Sequence, residues 1–404
     1  MNRLALALAL VLALAVPAAA QVPNYISTLA AYQVRALQGS SAPTNGSSSM
    51  ASVTPSQWYP GEQCCGGGLL TGVINAWSGG AKSQVDTKLY VNGGGHVDSG
   101  NDGIYVFDFS GAANPTGWTL VGLAPVANVN WNTSPSAPGG ATKPYGGGYP
   151  YATHTYDGLV MATNGNMYHW SGYNTDVYKF NFATGTWTQL ADNPATEPAE
   201  KLTFYDAAQQ KILVAQAGGS NAPFQYYVFR VSNETQSANK SWPSGYPGMP
   251  TTRTNNVACY DSSRSRGLVI GNGGAELVTI NWAAETGTIA TQALSGLPGM
   301  TGPSCVYDAA RDVYWVLGGQ PGSAGWSNIY EINASSFVVT GHPLTGDAIQ
   351  VNSSMIGSFG RLVFLGSYRA IGIVASETSP AYVIKLPGSA PAPPPNAPSG
   401  VKVQ

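Results

Sequence analysis

The residues of this 404-residue chain best suited to chemistry stand in two short stretches. GGGHVDSGND (93–102) carries His96, Asp98, Asn101 and Asp102 behind three glycines, and YATHTYDG (151–158) carries His154 ahead of Tyr156 and Asp157. A neutral imidazole beside a carboxylate accepts or donates a proton near neutral pH, with the carboxylate fixing its orientation. The same groups suit a cation or the hydroxyls of a sugar. A purely structural use is the competing reading, with these side chains satisfying loop backbone groups and pinning one unit of the fold to the next. Glycines 93–95 allow positive φ and a close backbone approach. Trp131 and Tyr145 stand in NWNTSPSAPGGATKPYGGGYPY (130–151), a loop long enough to be functional. Aromatic rings there suit stacking on a sugar or contact with a protein partner. A plain lid is the alternative.

The elements that must position these residues emerge from composition and repetition. Charged residues are 9% of the chain, while Gly numbers 50, Tyr 22 and Trp 10. That balance favours aromatic strands and tight turns over solvated helices. The net charge of −2, without basic clusters, argues against nucleic acid or an anionic membrane surface as partner. MNRLALALALVLALAVPAAA (1–20) reads as a signal peptide cleaved near Ala20, so the expectation is a secreted or periplasmic protein with no transmembrane segment.

Four segments share one shape, an apolar strand ending in Tyr-Asp, a polar turn, then a second apolar strand. They are HTYDGLVMATNGNMYHWSG, KLTFYDAAQQKILVAQAGG, NVACYDSSRSRGLVIGNGG and PSCVYDAARDVYWVLGG. Their Tyr-Asp pairs begin at Tyr156, Tyr205, Tyr260 and Tyr307, in steps of 49, 55 and 47 residues. A period of ~50 residues with closing glycines is that of a kelch-type propeller blade. Third strands follow at 103–110, 176–183, 225–232 and 327–334, and fourth strands show best at 117–123 and 186–192. TNGN (163–166) suits a tight hairpin. Two degenerate units, one from Ala76 and one over 353–386, bring the count to six blades. The last lacks a fourth strand, and AYQVRAL (31–37) is available to supply it and close the ring.

The expected organisation is a signal peptide (1–20), an N-terminal segment with the closing strand (21–69), an all-β kelch-type β-propeller (70–387) and a Pro-rich tail (388–404). Within the N-terminal segment, 38–50 reads as a flexible connection. Four Tyr-Asp copies at the blade period point to architecture, the Asp accepting turn N–H groups and the Tyr packing between blades. Cys259 and Cys305 fall at opposite strand parity in consecutive blades, which either turns their sulfurs towards each other as a disulfide or turns both away. Cys64 and Cys65, the only other cysteines, form no metal-type spacing, and no cofactor or structural metal is expected.

With its repeat, WSGGA (77–81), GGGHVDSGN (93–101) and HTYDG (154–158), the chain resembles kelch-repeat proteins of the galactose-oxidase-like superfamily, and exported bacterial members in particular. The resemblance implies the fold more than the role, since this architecture hosts binding proteins, oxidases, lyases and scaffolds. Copper-radical oxidation would need two histidines, two tyrosines and a cysteine. His96, His154 and Cys64 or Cys65 supply the types, but the family's copper-site context is missing. A polysaccharide lyase would want a basic cleft, which 18 dispersed Lys and Arg do not form. The leading expectation is a non-catalytic propeller binding a glycan or protein partner at the rim carrying His96 and His154. An extracellular carbohydrate-active enzyme at the same rim and a structural surface protein are the alternatives.

Overall fold

The computed structural model describes residues 23–37, 74, 78–83, 86–92, 103–110, 118–121, 150, 154–170, 176–191, 200–217, 225–242, 255–271, 274–319, 322–351, 357–376 and 379–388. The chain forms six four-stranded antiparallel blades arranged as a β-propeller. Blade 1 consists of Gly80–Ser83, Lys88–Val91, Ile104–Asp108 and Trp118–Val121, and blade 2 of Leu159–Met161, Asn166–Trp170, Val177–Asn181 and Thr186–Gln189. Blade 3 has Glu200–Asp206, Lys211–Ala217 and Gln225–Arg230, with its fourth strand split into Thr235–Gln236 and Lys240–Ser241. Blade 4 comprises Val257–Asp261, Arg266–Gly271, Gly274–Asn281 and Thr286–Gln292, and blade 5 Pro303–Asp308, Val313–Gly318, Asn328–Asn333 and Val339–Pro343.

Blade 6 is assembled from both ends of the described chain. Leu362–Leu365, Ala370–Val374 and Ala381–Lys385 are its first three strands, and Gln33–Leu37 pairs antiparallel with the third as the fourth. The N-terminal strand therefore closes the ring. Thr345–Gly346 adds in parallel to the exposed side of Gln33–Leu37, covering an edge that would otherwise present unpaired backbone groups.

Each blade buries both faces, which is why strands such as KILVA and VYWVL read as continuous apolar runs rather than clean alternations. Alternation survives in which neighbour a residue meets. In Gly274–Asn281, Val278 and Ile280 pack towards blade 3 while Ala275 packs towards blade 5. Among the described residues the core is six clusters, one at every junction between neighbouring blades. Each buries several large side chains worth about 1.5–3 kcal/mol apiece. The junctions demand close approach. A Cβ on Gly267 would lie 2.1 Å from the Phe204 ring of the preceding blade.

Strand direction divides the molecule into two faces. Turns joining first to second and third to fourth strands lie on one, the turn face. The ends of second strands, the starts of third strands and the entries to the innermost first strands lie on the other, the loop face. On the turn face, Gln210, Ser265 and Asp312 take left-handed φ of 50°, 50° and 57°, each four residues after the Asp ending a first strand. That position closes a regular hairpin turn.

Three of the four Tyr-Asp pairs build this face. Asp206, Asp261 and Asp308 accept turn N–H groups from Gln209, Ser263 and Ala310 at 2.9, 3.0 and 3.2 Å. Each Tyr reaches back to the first turn of the preceding blade. Tyr205 Oη meets Thr163 Oγ1 at 2.8 Å, Tyr260 Oη donates to Asp206 at 2.6 Å, and Tyr307 Oη meets Ser263 Oγ at 3.2 Å. In blade 6 the clasp continues with a different residue, Arg369, which donates to the buried Asp308 at 2.7 Å.

The fourth pair is different, and here the structure corrects the expectation that Tyr156-Asp157 ends a first strand. Tyr156-Asp157 precedes the first strand of blade 2 instead of ending it. The TNGN hairpin fixes the first turn of that blade at 163–166, where Ala162 N–H bonds to Asn166 O at 2.9 Å. Counting back leaves Leu159–Met161 as the inner strand and puts Tyr156-Asp157 on the loop face. The 49-residue step is therefore not a blade period. Blade 6 also has a strand not counted from sequence, Ala370–Val374.

Candidate functional site

The entries to the inner strands converge around the axis on the loop face, where hydrogen bonds link all six blades in a closed belt. Glu200 of blade 3 accepts the Asn255 N–H of blade 4 with both carboxylate oxygens, at 3.0 and 2.8 Å. Gly302 N–H of blade 5 donates to Asn255 O at 2.8 Å, and Ser358 N–H of blade 6 donates to Gly302 O at 2.6 Å. Gly80 N–H of blade 1 donates to Phe359 O at 2.9 Å. Gly79 N–H donates to Thr155 Oγ1 at the entry to blade 2 at 2.9 Å, and Thr203 Oγ1 of blade 3 donates to Asp157 O at 2.7 Å.

Asp157 adds a chord across this ring. Its Oδ2 accepts the Ala258 N–H of blade 4 at 2.9 Å, while its backbone bridges to Leu202 of blade 3. Arg361, fully buried, donates to the carbonyls of Ile74, Ser78, Gly357 and Ala375 and so binds the entry of blade 6 to the approach to blade 1.

An aromatic stack fills the middle. His154 Nδ1 lies 3.1 Å from Tyr156 Oη with the rings edge-on, and the Tyr156 ring meets Phe359 edge-on at 5.7 Å. All three side chains are buried. Tyr156, Asn255 and Phe359 hold φ of 44°, 63° and 28°, and none occupies a regular hairpin position. Backbone held in sparsely populated regions persists only where surroundings over-determine it, and it clusters at functional sites.

Two ionisable groups at the start of the inner strand of blade 3, on opposite sides of it, are tuned towards neutrality. Burial pushes the Glu200 carboxyl up to about 8, against the N–H groups of Asn255 and Asn256 that pull it down. Burial alone lowers the Lys201 ammonium to about 8. A partly exposed acid neutral at pH 7 can donate a hydrogen bond or a proton, which an ordinary surface carboxylate cannot do.

Of the residues singled out from sequence, the structure places His154 in this stack and Cys259 and Cys305 in a disulfide between the inner strands of blades 4 and 5, Cα–Cα 5.5 Å. His96, Asp98, Asn101, Asp102, Trp131 and Tyr145 lie outside the described residues, as do Cys64 and Cys65. The flanks of the His96 loop are described. Asn92 Nδ2 donates to Gly103 O at 3.1 Å, and Thr155 Oγ1 donates to Asn92 O at 3.2 Å. The entry to blade 2 and the two flanks, Asn92 and Gly103, thus lie together on the loop face.

Sequence reasoning missed Asp157, Glu200, Lys201 and Arg361. The available signal was charge scarcity, because EKLTFYD and GRLVFL place charges directly against apolar runs in a chain only 9% charged. Among the described residues no group of three or more His, Cys, Asp or Glu could hold a metal ion, and no helix is long and apolar enough to cross a membrane.

No family model matches the chain, and no curated protein matches it in sequence. Among solved structures it is similar to one described as "Structure of YjhT", at 14% identity and a TM-score of 0.48, over 78% of this chain and 95% of that one. The propeller assignment rests on the strand pairing itself.

Proposed function

We propose that this protein is an exported, non-catalytic kelch-type propeller that binds a glycan or protein partner on its loop face, at the axial mouth bounded by His154, Asp157 and Glu200. The observation carrying this reading is the concentration of irregular left-handed backbone and buried polar side chains at that mouth, while the left-handed non-glycine residues of the turn face, Tyr32 apart, sit in turns between consecutive strands. Low charge favours an uncharged ligand such as a neutral glycan. Kelch affiliation is supported by the ~50-residue spacing and closing glycines. Export is supported by the apolar N-terminal segment and by the Cys259–Cys305 disulfide, a bond that persists in oxidising compartments.

A glycan array probed with the folded full chain, with metal analysis of the same preparation, tests the reading. Binding should fall about tenfold or more in Glu200→Gln and His154→Ala. Unchanged binding in folded variants removes the axial mouth as the site.

One observation favours a second reading. Glu200, partly exposed at the mouth and raised to about 8 by burial, is the kind of carboxyl a general acid uses, whereas Lys201 is buried on the opposite side of the strand. Turnover of an extracellular polysaccharide with a pH profile that collapses in Glu200→Gln would replace the non-catalytic reading.

A further inference from the structure

Away from the axis, the junction between blades 1 and 2 holds an unsatisfied histidine. His169 lies in the second strand of blade 2, Asn166–Trp170, and is fully buried. Neither Nδ1 nor Nε2 has a hydrogen-bond partner. The Trp187 indole N–H, on the fourth strand of the same blade, is also buried and without a partner. Leaving such groups dry is costly, and interiors normally supply a partner.

Three rings surround this point. His169 and Tyr178 are 6.2 Å apart, His169 and Trp187 6.3 Å, and Tyr178 and Trp187 6.4 Å, all edge-on to one another. With ring centres 6.3 Å apart, one oxygen can lie within hydrogen-bond reach of both a His169 ring nitrogen and the Trp187 indole N–H. The three residues share the face of blade 2 that meets Tyr90 and Ile104 of blade 1. The inner strands of these two blades pair directly, Lys82 with Val160 and Ser83 with Met161, so the sheets meet at the axis and splay outward.

The unsatisfied groups define the guest. Burial drives the imidazole down to about 3, so at neutral pH it offers one N–H donor and one acceptor nitrogen. The indole adds a second donor. A guest that both accepts and donates fits this set, and an O–H group does so. We propose that the wedge between blades 1 and 2 is a binding site for one hydroxyl group, either a water or the O–H of an alcohol or sugar, recognised by His169 and Trp187. This site is separate from the axial mouth and stands whether or not that mouth binds a ligand.

Nitrogen-15 NMR on the intact protein tests it. The His169 ring should stay neutral from about pH 5 to pH 8. Its ring N–H and the Trp187 indole N–H should show cross-relaxation to a long-lived water. Ethanol and methyl glycosides are the probes for the second source. A saturable shift of the Trp187 signal that weakens about tenfold in His169→Phe assigns an alcohol or sugar hydroxyl. A water cross-peak with no response to either probe assigns the guest to water. Trp187→Phe, which deletes one donor and keeps an aromatic ring, gives the same reading should His169→Phe not fold. Visible ring signals with neither water contact nor saturable shift overturn the proposal.

Discussion

The turn face and the loop face are made from the same strands, yet they hold the ring together by different means. On the turn face each blade clasps the one before it through a repeated side-chain device, Tyr205 to Thr163, Tyr260 to Asp206, Tyr307 to Ser263 and Arg369 to Asp308. Ion pairs such as Lys179–Glu234 and Arg230–Glu285 brace the same junctions. On the loop face the links run mainly through backbone atoms, and the side chains that take part, Thr155, Glu200 and Thr203, occupy no repeated position. Repetition marks the face that carries the architecture. Irregularity marks the face where strain and buried polar groups gather, and where a ligand site is proposed.

The contrast can be broken most severely at Arg369. It and Asp308 are both almost inaccessible, so Arg369→Ala leaves a buried carboxylate uncompensated and should cost roughly 3–5 kcal/mol in denaturant unfolding. Retention of wild-type stability would show that the last clasp is dispensable.

On the loop face, Gly79→Ala should be comparably damaging, about 3 kcal/mol. Its Cβ would fall 1.8 Å from Tyr156 O and 2.5 Å from Phe359 O, so backbone must move in two blades. Thermal melts of purified variant and parent decide this.

The Cys259–Cys305 bond separates the two kinds of link from a covalent one. Cys305→Ser should lower stability by about 2–4 kcal/mol, read from matched denaturation curves with and without reductant. A parent protein indifferent to reductant would deny the disulfide a stabilising role.

Glu200 sharpens the comparison through pH. Its folded pKa of about 8 lies above the ordinary value of 4.5, so the unfolded chain loses its proton first. Stability should therefore decline as pH rises from about 4.5 to about 8 and flatten above that. Glu200→Gln should remove that slope and gain on the order of 1–2 kcal/mol at pH 8.5 relative to the parent, less than the full shift because the side chain reaches solvent. A slope unchanged by the substitution would assign the pH dependence elsewhere.

The smallest effect is expected at Lys179→Ala, where a half-exposed ion pair with Glu234 should contribute under about 1 kcal/mol, and less at high salt.

Much of this fold was legible before any coordinates. Tyr-Asp at Tyr205, Tyr260 and Tyr307 marks the ends of three inner strands because the Asp must cap the turn that follows. AYQVRAL was identifiable as a closing strand because an open last blade would leave an edge. HTYD was misleading because the same dipeptide serves two purposes. Only the TNGN turn beyond it tells them apart, by requiring the strand to run from Leu159. The axial mouth was nearly invisible, since Asp157, Glu200, Asn255, Gly302 and Phe359 are separated by scores of residues and share no motif.

By itself the sequence determined the all-β class, the six units and the ring closure, because turn chemistry and strand periodicity are local and are written in consecutive residues. Only the tertiary structure decided which polar side chains meet across the ring, which carboxyl and ammonium are drawn towards neutrality, and which histidine is left unsatisfied between blades. Those properties depend on burial and on distances between blades, and both are set only once the ring has closed.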